Sequence, residues 1–236
     1  MGVHTVERLP MPLFDSKIAA CFLTFNELKF DRSYFELATI AQPPVITNSV
    51  NKRRAEFFYG RLAAKLIMSD IGVNHGDVLI GSSGEPLWPL GYIGSITHTT
   101  GLAAAVLGPK MEALRGIGID IERVAMRCDF EALHELVINE EEWECLQGSP
   151  AKFTDAVLST IAFSAKESIY KAAFFSVGRF FDFSAARVIE PPDDTGRLTL
   201  VIAEDLGGIF QRGRRCMVEF RLLRPDVVCT SFILQP

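Results

Sequence analysis

Residues 116–124 read Gly-Ile-Gly-Ile-Asp-Ile-Glu-Arg-Val, and the alternation is strict. Ile117, Ile119 and Ile121 fall on one face, Gly118, Asp120 and Glu122 on the other, which predicts a strand whose apolar face joins a core. Residues two apart on a strand point the same way, roughly 6.6 Å apart at the backbone. Two flexible carboxylates so placed converge on one cation, or repel one another unless a basic group sits between them. A merely solvated acidic face is the plainer alternative.

Around that strand the periodicity switches repeatedly. Residues 51–69 read as a helix with an apolar stripe through Ala55, Phe58, Leu62 and Leu66, and Asn48 or Asn51 is the expected cap. Residues 81–101 are turn-rich, with a short strand at 92–97, and 102–107 is a buried strand. Residues 131–146 hold helical and acidic pieces, and 154–175 is a long helix. After Pro191-Pro192 come strands at 198–203, 214–223 and 227–234. Residues 1–50 are short apolar segments broken by Pro10, Pro12, Pro43 and Pro44. The order predicts an α+β fold rather than a parallel doubly wound sheet. Each half carries one long helix and several strands. A break near 108–115 divides the chain into residues 1–112 and 113–236, with a cleft between them.

Composition narrows the classes. With 48% apolar and 22% charged residues and 18 Phe, the 236-residue chain has ample material for a core. A net charge of −5 argues against a general nucleic-acid binder and leaves room for a local basic pocket. No apolar run reaches the roughly 20 residues that span a bilayer. A secretory leader is not expected, and Val6 breaks the myristoylation pattern after Gly2. Cys21, Cys128, Cys145, Cys216 and Cys229 have no C-x-x-C spacing, so reduced thiols and a cytoplasmic location are expected.

Three further segments carry chemistry-bearing residues. In Phe163-Ser-Ala-Lys-Glu-Ser-Ile-Tyr-Lys171, Glu167 and Lys171 share a helix face at i, i+4. A surface ion pair is the plain account, but Lys166, Glu167 and Lys171 sit in a helix otherwise apolar and aromatic, which suggests a cleft wall. Arg53, Arg54 and Arg61 lie along the first long helix, where guanidinium groups either meet water or grip phosphate bidentately. Gly84-Glu85-Pro86 through Gly94-Ser-Ile-Thr97-His98 combines glycines that let a ligand approach backbone with the donors of Thr97 and His98.

Taken together and in order, these segments match G-[IV]-D-[IV]-E, then F-[SA]-x-K-E-[SA]-x-x-K about forty-five residues later, preceded by G-x-P…S-x-[ST]-H and an Arg-containing helix. From about residue 51 to 171 the chain resembles 4′-phosphopantetheinyl transferases of the Sfp type, above all the EntD-like enterobactin branch. The resemblance implies two similar α+β halves with coenzyme A and Mg²⁺ in the cleft between them. It makes Asp120, Glu122 and Glu167 the metal ligands. Arg53, Arg61, Thr97 and His98 become contacts to coenzyme A phosphates, Gly84, Glu85 and Pro86 line the nucleotide, and Lys166 and Lys171 flank the pyrophosphate. Some relatives carry Lys just before the Gly-x-Pro segment or at its centre; this chain has Ser83 and Glu85 there.

The implied reaction moves phosphopantetheine from coenzyme A to a serine of an apo carrier protein and releases 3′,5′-ADP. Glu167 or a metal-bound water takes the serine proton, and Lys171 neutralises or protonates the leaving phosphate. Both active-site halves in one chain imply a monomer. Carrier proteins of the peptidyl, aryl or acyl type are the implied partners, peptide-synthetase carriers first. Arg179, Arg187 and apolar residues of 130–150 are candidates to dock them, whereas Glu140–Glu142 would disfavour an acidic helix nearby. A non-catalytic carrier- or nucleotide-binding module and a Mg²⁺-dependent hydrolase of nucleotide pyrophosphates are the alternatives.

Overall fold

A computed structural model of the chain describes residues 7–8, 18–73, 76–124 and 136–235. Cys128 and the pieces expected at 131–135 lie outside these residues. Two compact units emerge, Met1–Met111 and Glu112–Pro236.

In the N-terminal unit, β1 (Glu7–Arg8) and β2 (Ala19–Thr24) are followed by the short helices α1 (Ser33–Leu37) and α2 (Pro44–Thr47) and the long α3 (Asn51–Asp70). A two-stranded ribbon, β3 (Leu79–Ile80) and β4 (Pro86–Leu87), precedes β5 (Tyr92–Thr99) and β6 (Leu102–Pro109). The main sheet is antiparallel in the order β1-β2-β6-β5, and α3 lies across it. Small residues make this close packing possible: β6 runs Leu-Ala-Ala-Ala-Val, and a side chain on Gly60 of α3 would press against Ile96. One core cluster joins Cys21, Leu23, Ala63, Ile67 and Leu107. A second is aromatic, with Phe30, Phe35, Phe58 and Tyr59 in edge and tilted contacts and Phe57 stacked on Phe35. The expected caps are not used. Val50 is the N-cap residue of α3 without a side-chain bond, because Asn48 closes α2, its N–H donating to the Pro44 carbonyl.

In the C-terminal unit, β7 (Gly116–Arg123) is followed by α4 (Glu140–Gln147), α5 (Asp155–Val177), β8 (Ala186–Glu190), β9 (Arg197–Ile202), β10 (Arg215–Arg224) and β11 (Val227–Leu234). The antiparallel sheet has the order β7-β11-β10-β9-β8, so the late strands form a meander and β7 joins beside the last of them. Ile117, Ile119 and Ile121 are buried, each contributing about 1.5–3 kcal/mol of hydrophobic stabilisation. Thr154 caps α5 through the Val157 N–H, and Gly178 ends it in the left-handed conformation. The fold is mixed α and β, and among the described residues all the sheet pairings are antiparallel. Cys21, Cys216 and Cys229 are buried, and Cys145 is half-buried.

Candidate active site

Strand β7 and helix α5 are brought together by what their sequences lack. A Cβ on Gly116 would collide with the Ala172 carbonyl, and one on Gly118 with the Ser168 carbonyl. Two strand residues rise about 6.6 Å and one helical turn about 5.4 Å, so Gly116, Gly118 and Asp120 step along Ala172, Ser168 and Ser164. The third step is a bond: Ser164 Oγ donates to Asp120 Oδ2 at 2.8 Å. Asp120 is therefore buried, although its strand face could have been read as solvated.

Lys171 answers that buried charge. Its ammonium donates to Asp120 Oδ1 at 2.6 Å and to the Ile119 carbonyl at 3.3 Å. Burial pulls the Lys171 ammonium down, but Asp120, Glu167 and Glu122 outweigh it and raise it above the ordinary lysine value. Burial raises the Glu167 carboxyl above the ordinary carboxylate range; Lys171 opposes the rise and the Asp120 charge adds to it. So Asp120, Glu122, Glu167 and Lys171 form one electrostatic group, with three carboxylates acting on one ammonium. Among the described residues no three His, Cys, Asp or Glu side chains are arranged to hold a metal ion. The donor set is nonetheless hard oxygen throughout and rich in negative charge, which suits a hard divalent cation.

Lys166, expected beside the pyrophosphate, lines a pocket with Glu167 but is already engaged within the protein. It is 2% exposed and donates to the Val137 carbonyl at 2.6 Å and to Glu142 at 2.8 and 3.1 Å. Glu142 also accepts the Val188 N–H and closes a capping box with Asn139. The acidic run at 140–142 thus contains a buried ion-pair partner that its sequence disguises as surface charge. Beside Glu167, a shallow pocket is walled by Tyr170, Phe180, Phe181 and Phe183.

In the N-terminal unit, Arg53 Nη1 lies 2.9 Å from His98 Nε2. Arginine only donates, so Nε2 accepts and the ring proton sits on Nδ1, which faces Glu56 at 3.7 Å. Glu56, which sequence reasoning missed, is held above its ordinary range by burial, with Lys52 and Arg53 opposing and Glu27 adding to the rise. The signal was there in the Lys52-Arg53-x-x-Glu56 spacing along one helix face. Arg61 is buried over the Phe57 ring at 4.8 Å, with an unpartnered Nε. Burial pulls its guanidinium down to about 10, with Asp77 opposing and Arg53 adding. Arg54 donates to the carbonyls of Ile46 and Thr47 and ties α2 to α3. Thr97 is buried on β5. Gly84 and Glu85 lie in the turn of the β3–β4 ribbon and Pro86 opens β4: Gly84 takes a positive φ of 89°, and the Glu85 carboxylate folds back to accept the Ser83 N–H at 2.9 Å.

Two family models match in tandem. Residues 41–108 match the 4′-phosphopantetheinyl transferase N-terminal domain, and residues 116–228 match the 4′-phosphopantetheinyl transferase superfamily. The chain is 34% identical over 157 residues to 4′-phosphopantetheinyl transferase PptT of Mycobacterium tuberculosis, covering 66% of each protein. It is 36% identical to enterobactin synthase component D of Salmonella typhi over 61% of this chain and 59% of that one. With component D of Escherichia coli O157:H7 the identity is 31% over 64% of this chain and 70% of the relative. The chain thus matches about three fifths to two thirds of the first two relatives' length. Its matched segments contain every residue singled out above for phosphate or metal chemistry, and the chain belongs to the 4′-phosphopantetheinyl transferase superfamily.

Proposed function

We propose that the chain transfers the 4′-phosphopantetheine arm of coenzyme A to a serine of an apo carrier protein, in a Mg²⁺-dependent reaction that releases 3′,5′-ADP. A bond forms between the serine oxygen and the β-phosphorus. The bond from that phosphorus to the bridging oxygen breaks, and the serine proton passes to a base. The observation that carries this reading is the group of Asp120, Glu122 and Glu167 around Lys171, contributed by two elements that match the superfamily in order.

Asp120, Glu122 and Glu167 would hold Mg²⁺, whose chemistry when bound is to neutralise the pyrophosphate and ease departure of the leaving group. Glu167 or a metal-bound water is the base, and such a base contributes roughly 10²–10⁴-fold. Lys171, held protonated by three acids, offers its charge to the leaving phosphate. Lys166 is left to hold its helix through Glu142. Arg53, Arg61, Thr97 and His98 serve the phosphates of coenzyme A, and the Gly84–Pro86 segment its nucleotide. The pocket beside Glu167, with its aromatic walls, suits the apolar stretch of the arm.

The EntD-like motif order points to peptide-synthetase carriers, siderophore synthesis first, and a cytoplasmic monomer as the working form. Among the described residues no helix is long and apolar enough to cross a membrane. Incubation with coenzyme A, Mg²⁺ and a panel of apo carriers, followed by mass spectrometry, tests the whole reading. The expected result is a carrier heavier by one phosphopantetheine arm, lost on chelation and restored by Mg²⁺. An unmodified carrier with intact coenzyme A would overturn it, and release of the arm without a carrier would make the chain a hydrolase.

A further inference from the structure

The interface of β7, β11 and α5 buries three hydroxyls that the reaction above does not use. Ser164, Ser168 and Thr230 are completely buried. Ser164 and Ser168 lie one helical turn apart, and Thr230 stands opposite Asp120 in the β7–β11 register, so the four side chains share one face.

Each hydroxyl has a single proton to give. The carboxylate is the strongest acceptor present, so Ser164 Oγ donates to Asp120 Oδ2 at 2.8 Å. Thr230 then donates to Ser164, whose Oγ is 2.9 Å away and whose carbonyl oxygen is 2.8 Å away. Ser168 donates to Thr230, to Oγ1 at 2.7 Å or to the carbonyl oxygen at 3.2 Å. With Thr230 giving its proton to the Ser164 Oγ and Ser168 giving its own to the Thr230 Oγ1, the hydroxyls run in one direction, Ser168 to Thr230 to Ser164 to Asp120; a proton given to either carbonyl instead would break that run. Donors chained in one direction polarise one another toward the charge at the end. A helical hydroxyl commonly turns back to its own helix, as Thr160 does to the Ala156 carbonyl at 2.7 Å. Ser164 gives its proton across to the strand instead.

We propose that Ser164 and Thr230 are positioning residues that set the rotation of the Asp120 carboxylate. Ser164 holds Oδ2 inward and so leaves Oδ1 turned toward Lys171, while Thr230 keeps the Ser164 hydroxyl in its donating orientation. The device rests on Asp120 being a cation ligand, and it would work as hydrogen bonds behind a metal-binding carboxylate generally do, where their loss costs about 10–100-fold in metal affinity.

The test is Mn²⁺ binding, read from the electron paramagnetic resonance signal of the free ion, on the full chain with coenzyme A present. Ser164→Ala is expected to weaken Mn²⁺ binding roughly tenfold or more while thermal unfolding stays cooperative. Thr230→Val is expected to weaken it in the same direction, and Thr230→Ser to bind within about threefold of the unaltered protein. Mn²⁺ binding by Ser164→Ala equal to that of the unaltered protein would overturn the proposal. Thr230→Ser as weak as Thr230→Val would remove Thr230 from it. Should Thr230→Val fail to fold, Ser164→Ala decides alone, since alanine is the best helix former. Absence of Mn²⁺ binding by the unaltered protein would overturn the assignment of Asp120 itself, a result distinct from equal binding by the two proteins.

Discussion

Glu167 carries a charge that its surroundings oppose. Its carboxyl is raised by burial first and by the Asp120 charge next, with Lys171 opposing. The folded chain therefore binds that proton more tightly than the unfolded one, so this contribution to stability is fully present below the ordinary value of 4.5 and is lost as pH rises through the raised one. Glu167→Gln should cut transfer by roughly 10²–10⁴-fold and leave the melting temperature unchanged or higher at neutral pH. The stability gain of the unaltered protein between neutrality and 4.5 should shrink in the variant, as pH-resolved thermal melts would show. Asp120→Asn should lose transfer to a similar extent. Arg61 presents the opposite case, a buried cation with an unpartnered Nε. Arg61→Ala should raise the KM for coenzyme A about tenfold or more, the worth of a charge-assisted hydrogen bond, and leave kcat nearly unchanged in steady-state assays.

At the scale of elements, α5 does two jobs on two faces. Toward β7 it presents Ser164, Ser168 and Ala172 to a strand thinned by glycine. Gly118→Ala should therefore destabilise by about 3 kcal/mol or more, because the Ser168 carbonyl cannot yield without moving the helix that carries Glu167; chemical denaturation measures the loss, and transfer should fall with it. Toward α4 and β8 the helix sends Lys166 to Glu142. Glu142→Gln should cost about 3–5 kcal/mol, since it leaves a buried ammonium without its counter-charge. The same denaturation experiment would show a far smaller loss if the pair were solvated. Segment 163–171 announced its charged residues in the sequence but not which faces they take: Lys166 and Lys171 are five residues apart, about 140° around the helix axis, and only packing decides that one meets Glu142 and the other Asp120.

Across the molecule, a net charge of −5 sets a condition on any acidic partner, which must find a local basic face. Arg179 and Arg187 are both exposed in the C-terminal unit, and exposed Phe180 stands next to Arg179. The apolar docking candidates at 130–135 lie outside the described residues. Charge reversal at Arg179 and Arg187 together should raise the KM for an acidic carrier about fivefold, the worth of roughly 1 kcal/mol of exposed ion pairing, without altering the KM for coenzyme A. A parallel titration of both substrates separates the two. The seat of Glu142 also changes the docking argument: of the 140–142 run only Glu140 and Glu141 remain on the surface to repel an acidic helix.

Short-range order was legible where the pattern was strong. The alternation at 116–124, the helical stripe of 51–69 and the final strand at 227–234 each follow from a periodicity that neighbouring side chains impose on the backbone, and each stands within a residue of where its pattern put it, whereas the strands at 19–24 and 186–190 and the short helices before residue 48 were not read. Motif order also sufficed to single out Asp120, Glu167 and Lys171. The caps were not legible, because Asn48 was already engaged by the short helix before α3. Partnerships were not legible either: Lys171 meets Asp120 across 51 positions and Ser164 meets Thr230 across 66. Such pairs come from the register of β7 on β11 and from the depth to which two glycines let β7 sink against α5. A residue type and its spacing state what a side chain is able to do; burial and long-range pairing determine which partner it finds, because they alone set the distance and the dielectric between two charges.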